Sequence, residues 1–137
     1  MLPPSMKPYL LRAIYDWCVD QNYTPHIVVR VDEYCRVPMQ YVRDGEITLN
    51  VGPLATKDFF MDNEWVGFTA RFGGVAQMVS FPITAVLAIY ARETQEGMGF
   101  EVTRYEGNTT APQEKVEKTP QKDEKTTKRV NPFRLVD

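Results

Sequence analysis

Between residues 8 and 21 apolar side chains fall at almost every position. Tyr9, Leu10, Leu11, Ala13, Ile14, Tyr15, Trp17, Cys18 and Val19 leave only Arg12, Asp16 and Asp20 as a clearly polar strip. A helix resting on one core needs an apolar arc of only about 100°. The segment therefore predicts a helix that buries two faces. A second copy of the chain is the economical partner for the outer face, since closed twofold dimers dominate soluble oligomers; a central core helix is the other reading. Pro8 suits a first helical turn, and Asn22 with Pro25 supplies the stop.

From Ile27 the period changes to two. Ile27, Val29 and Val31 oppose Val28, Arg30 and Asp32, and residues 37–42 and 47–51 flank Arg43-Asp44-Gly45-Glu46, which predicts a hairpin turning on Asp-Gly. Val66, Phe68, Ala70 and Phe72 lie opposite Trp65, Gly67, Thr69 and Arg71, and Gly73-Gly74 turns the chain into residues 75–81 as a second hairpin. Pro82 ends that strand, Thr84 is expected to cap a short helix through Arg92, and residues 98–102 give a last strand. The expected class is α+β, mainly β. One N-terminal helix precedes about six short strands in a strongly bent antiparallel sheet, either a sandwich or a small partly open barrel.

Past residue 106 the patterning stops. In residues 107–129 Val116 is the only large aliphatic among Lys, Glu, Thr, Gln, Pro and Asp, too little apolar surface to offset the entropy of ordering. The sequence thus divides into a globular body over residues 1–106, a flexible, disordered linker over 107–129 and a terminal strip over 130–137. That strip, Val130-Asn131-Pro132-Phe133-Arg134-Leu135-Val136-Asp137, carries four large apolar side chains that gain nothing unless another surface buries them. It either folds back on its own body or serves as a linear motif for a partner, and a polar spacer reaching about 25–30 Å favours the partner.

Composition narrows the function. At 137 residues with 43% hydrophobic and 25% charged positions, the chain supports one core. Seven of its 16 basic and five of its 18 acidic residues lie past 106, which leaves the body near −4 and the remainder near +2. That balance removes the broad attraction on which sequence-independent nucleic-acid binding depends. No apolar run suits a membrane helix and no secretory signal pattern opens the chain, so a soluble cytoplasmic protein is expected, and Asn108-Thr109-Thr110 is a chance sequon.

Chemistry is sparsely provided. Cys18 and Cys35 are too far apart for a CxxC motif and are expected to stay reduced; His26 alone cannot complete a metal site with them. Ser5 and Ser80 sit in no nucleophile turn, and Asp32, Glu33, Glu93 and Glu96 read as surface charge. No catalytic residue, metal or cofactor is expected, and the chain is not expected to be an enzyme. Arg71-Phe72-Gly73-Gly74 lacks the strand-to-helix context of a phosphate loop and reads as a hairpin turn. Asn50-Val51-Gly52-Pro53-Leu54-Ala55 is a strand end running into a Gly-Pro break. Together with Gly67, Gly73 and Gly74 it suggests a peptide groove, where small residues admit another backbone. Glycines that merely relieve crowding at bends account for the same pattern.

Six blocks in order carry a family pattern: Pro8-Tyr9-Leu10-Leu11-Arg12-Ala13, Thr24-Pro25-His26, Val37-Pro38-Met39, Arg43-Asp44-Gly45, Ala70-Arg71-Phe72-Gly73-Gly74 and Ala85-Val86-Leu87-Ala88-Ile89-Tyr90-Ala91-Arg92-Glu93. The chain resembles the stringent starvation protein B (SspB) family of adaptors for the ClpXP protease. The resemblance implies an Sm-like bent-sheet body, a homodimer through the first helix (Tyr9, Leu10, Ala13, Trp17) and a groove for the ssrA degradation tag of stalled-ribosome products. That groove would draw on Asn50, Val51, Gly52, Pro53, Leu54, Ala55, Ala70, Arg71, Phe72, Gly73 and Gly74. The resemblance also implies docking to the ClpX unfoldase through Phe133, Arg134, Leu135 and Val136, although the family's tail is often longer and more acidic. An RNA- or ribosome-associated Sm-like binding protein is the alternative, against which the charge balance argues.

Overall fold

The computed structural model describes residues 2–105. After a short 3-10 turn at Pro4–Met6, helix α1 spans Lys7–Asp20 with Pro8 in its first turn. Its end is a Schellman motif. Asn22 takes a left-handed φ of 62°, its N–H reaches Val19 O at 3.1 Å, and Tyr23 N–H reaches Cys18 O at 2.8 Å. The Trp17 and Tyr23 rings meet edge to face across this cap, 5.5 Å apart.

Seven strands follow: β1 (Pro25–Arg30), β2 (Glu46–Asn50), β3 (Lys57–Met61), β4 (Trp65–Phe72), β5 (Val75–Pro82), β6 (Val86–Ala91) and β7 (Gly97–Gly99). They form two antiparallel sheets, ordered β2-β1-β6-β7 and β3-β4-β5. Among the described residues neither sheet closes into a barrel. The chain runs from β5 through a 3-10 turn at Ile83–Ala85 straight into β6, so one stretch passes from one sheet to the other. Inward side chains of both sheets share one core, with Ile27, Val29, Leu49, Val66, Phe68, Val79, Phe81 and Ile89 among its members. Leu11 of α1 joins them fully buried, and Tyr15 stacks on Phe59 of β3 at 4.7 Å with the planes 6° apart.

Three expected elements are different in the structure, one of them the last strand, which spans Gly97–Gly99 and not residues 98–102. Residues 37–42 are not a strand: buried Pro38 has no N–H to give a ladder, and Met39–Tyr41 coil into a 3-10 turn. The Asp44-Gly45 turn is present, with φ of 54° and 78° and reciprocal bonds between Arg43 and Glu46, but the strand it returns against is β1, Arg30 facing Glu46. Residues 84–92 are likewise not a helix. Val86–Ala91 lies between β1 and β7, and its all-apolar run reflects burial in the sheet. Strand β3 has no counterpart among the elements the sequence pattern predicts. It carries a bulge, with Asp58 at φ 58° and a register shift between Lys57 and Phe60, so no simple alternation marks it.

Candidate functional site

At the end of β2 the chain makes a tight turn built from its own small and polar groups. Asn50 Oδ1 accepts the Gly52 N–H at 2.9 Å, while Ala55 N–H and Thr56 Oγ1 both donate to Gly52 O at 3.0 Å. Val51 is in the core, with its N–H on Pro25 O at 3.0 Å. A Cβ on Gly52 would lie 3.3 Å from Asn50 Oδ1, its one tight neighbour, and in ordinary contact with Pro25 Cδ at 3.4 Å and Thr24 Cγ2 at 3.7 Å. What this stretch offers outward is Asn50, Pro53 and above all Leu54, whose side chain is fully exposed, with Ala55 half-buried beside them.

The second stretch forms the tip of the β4–β5 hairpin. Gly73 and Gly74 have φ of +61° and +84°, the signs a two-residue turn of type I′ needs at both positions. Ala70 and Phe72 pack half-buried on the core, whereas Arg71 is exposed with Nη1 donating to Gly74 O at 3.1 Å. Lys57 faces Thr69 in the β3–β4 register, so Thr56, which ends the first turn, comes level with Ala70. The two candidate stretches therefore border one another.

Around the hairpin stand residues outside the two predicted groove stretches, together with Arg71. Tyr41 packs on Phe72 with ring centroids 5.8 Å apart, and a Cβ on Gly73 would lie 3.6 Å from its hydroxyl. Met39 (62% exposed), Val75 (61%) and Met78 (77%) leave apolar surface open nearby. Arg36, Arg43 and Arg71 form no salt bridge among the described residues, whereas Arg30, Arg92 and Arg104 each do. A strand over residues 37–42 would not present this surface, because the 3-10 turn at Met39–Tyr41 is what brings Tyr41 against Phe72 of the hairpin.

The sheets end in four edges of unequal quality. Strand β7 has three residues, and β3 is bent by its bulge and carries Lys57 and Asp58, features that discourage pairing. On β5, Ser80 is already bridged by Arg36 through bonds of 2.7 and 3.0 Å. Pro38 lies past that bridge, and among the described residues β5 pairs with no further strand on that side toward Met78. On β2, Val51 bonds inward to β1, so by alternation Thr48 and Asn50 turn their backbone groups outward.

The outer face of α1 is a third feature. Tyr9 (58% exposed), Ala13 and Trp17 (37%) form one exposed row at four-residue spacing, with Leu10 half-buried beside it. Arg12 lies 4.7 Å over the Tyr9 ring and donates to Asn63 Oδ1 at 2.8 Å, and Asn63 in turn reaches the Tyr9 hydroxyl at 3.4 Å. The predicted strip Phe133, Arg134, Leu135 and Val136, with the linker 107–129, lies outside the described residues. Among the described residues no group of three or more His, Cys, Asp or Glu could hold a metal ion, and no helix is long and apolar enough to cross a membrane.

The family model described as stringent starvation protein B matches residues 5–133. A Haemophilus influenzae protein named stringent starvation protein B homolog is 42% identical over 142 residues, a match that takes in 96% of this chain and 95% of that protein. The helix, the two antiparallel sheets and the bordering turns described above therefore belong to a member of the stringent starvation protein B family.

Proposed function

We propose that this chain is a homodimeric cytoplasmic adaptor that binds ssrA-tagged proteins and delivers them to the ClpXP protease by docking on ClpX. Family membership from residue 5 to residue 133 is the observation that carries this reading. The tag would lie against the surface between residues 50–55 and 70–74. The open backbone of β2 would contribute hydrogen bonds, and exposed Leu54, Tyr41 and Met78 apolar contacts. Arg36, Arg43 and Arg71, free of carboxylate partners among the described residues, suit a peptide carrying acidic side chains. The row Tyr9, Ala13 and Trp17 suits a second copy of α1, with Ala13 small enough to let two helices approach.

An adaptor needs no nucleophile. Its gain comes from making a second binding event intramolecular. A polar spacer of 23 residues that obeyed flexible-chain statistics would span about 25–30 Å, which corresponds to effective concentrations near the millimolar range. Modest affinities at the groove and at residues 133–136 then combine into a strong ternary complex, and a dimer supplies two such arms.

The test is a fluorescence-anisotropy titration of a labelled ssrA peptide alongside a degradation assay. Arg71→Ala should weaken peptide binding roughly 1.5- to 5-fold, the range for an exposed charge pair worth about 0.2–1 kcal/mol. Deleting residues 131–137 should leave that binding intact and abolish delivery. Loss of both activities together would assign the strip to the body.

A further inference from the structure

Residues 100–105 lie beyond the end of β7, yet five of the six are held by contacts to other elements. β7 faces β6 with Gly99 opposite Ala88. The same register continues beyond the strand: Phe100 N–H donates to Leu87 O at 2.7 Å and Thr103 N–H to Thr84 O at 3.1 Å. Carried two residues further, Tyr105 comes level with Pro82, which pairs with Trp65 in the other sheet. Tyr105 is 7% exposed there, its ring edge to face with Trp65 and with Tyr34, each at 5.2 Å. Where β5 hands the chain to β6, this segment runs alongside in the opposite direction and stitches the two sheets.

Side chains add fastenings from other elements. Lys7 at the start of α1 donates from Nζ to Glu101 O at 2.9 Å and to Thr84 O at 3.4 Å, and lies 5.6 Å over the Phe100 ring. Arg104 pairs with Glu33 at 2.6 Å and sits 5.7 Å over Tyr34. Behind this segment, β7 is a three-residue edge strand with two glycines, which alone would open one pair at a time under a pull from its C-terminal end. The fastenings instead pass such a load to α1, β4, β6 and the connection after β1 together.

We propose that residues 100–105 are a terminal lock that stops the body from being unravelled from its C-terminal side. Its purpose rests on the adaptor reading, in which the following chain is offered to an unfolding machine; its existence does not. The tests therefore use the full chain with no partner present.

In wild-type protein, amide exchange at Phe100 and Thr103 should stay within about tenfold of that at Ile27, whereas a fraying end exchanges about a thousandfold faster or more. Tyr105→Ala should speed exchange at Phe100 and Thr103 at least about tenfold more than at Ile27, and Tyr105→Phe should restore protection. If Tyr105→Ala does not fold, Tyr105→Leu gives the same comparison at smaller amplitude. In single-molecule pulling between residue 137 and Gly45, the first rupture force should fall in the Tyr105 variant. The control Ile47→Val, a core change on β2, should leave it unchanged. Fraying-level exchange in the wild type, uniform acceleration in the variant, or an unaltered rupture force would each overturn the lock.

Discussion

Lys7 gives a pH dependence of stability whose sign and size follow from its surroundings. The residue is 8% exposed, its ammonium faces two carbonyls and an aromatic ring, and it forms no salt bridge among the described residues. Burial lowers its pKa from 10.5 to about 8. At 1.36 kcal/mol per pKa unit that gap disfavours the charged form by about 3 kcal/mol, of which about half survives screening by water at the lip of the site. The folded pKa lies below the unfolded one. Above pH 8 and up to 10.5 the unfolded chain therefore binds more protons, and the Lys7 contribution makes the fold more stable as pH rises. The thiols act in the opposite sense. Burial pushes Cys35 up to about 12 and raises Cys18, so ionisation of unfolded thiols near pH 9 lowers stability. Comparing wild type with Lys7→Met at each pH cancels the thiol contribution. Urea unfolding followed by tryptophan fluorescence should show wild type gaining about 0.5–1 kcal/mol on Lys7→Met between pH 7 and pH 9. A difference that stays constant across those pH values would refute the argument that the ammonium is carried at a cost.

Three further outcomes are expected. A Cβ on Gly97 would collide with the backbone at Ile89 O and Tyr90 Cα, whereas one on Gly67 would meet only the movable Phe60 ring. Gly97→Ala should accordingly lower the urea midpoint by the equivalent of about 2–3 kcal/mol, and Gly67→Ala by about 1. Glu93 accepts bonds from Thr24 N–H at 2.7 Å and Thr24 Oγ1 at 2.6 Å, which hold its carboxyl below the ordinary value of 4.5. Its contribution is complete above that value and lost as pH falls through the folded pKa, so Glu93→Gln should flatten the acid limb of a stability-against-pH curve. Ala13→Glu, in the middle of the exposed helix row, should give a monomer by sedimentation with unfolding cooperativity unchanged; a persistent dimer would move the interface elsewhere.

The features legible in the sequence were those set by short-range chemistry. Helix α1 announced itself through Pro8 and Asn22, and the β4–β5 hairpin through Gly73-Gly74 and the alternation from Val66 to Phe72. The stretches that stayed hidden depend on distant contacts. Residues 86–91 look helical because Ala and Leu favour helices locally, but pairing to β1 and β7 decides otherwise. Asp44-Gly45 fixed the turn without fixing its partner strand, since residues 31–36 cross to Ser80 before the chain returns. At the candidate site, Leu54 and Arg71 were identifiable as residues, but the surface around Tyr41 and Met78 exists only once Met39–Tyr41 coil against the hairpin. At Gly52 the one tight neighbour of an added Cβ is Asn50 Oδ1 at 3.3 Å, within its own turn.

The adaptor account stands most directly on where an ssrA peptide binds. With isotopically labelled protein, titration of the unlabelled peptide should shift amide resonances in residues 50–56 and 70–78 and at Tyr41, saturating at one peptide per chain, while those of Tyr9, Ala13 and Trp17 stay in place. Shifts confined to the helix face, or none at saturating peptide, would contradict it.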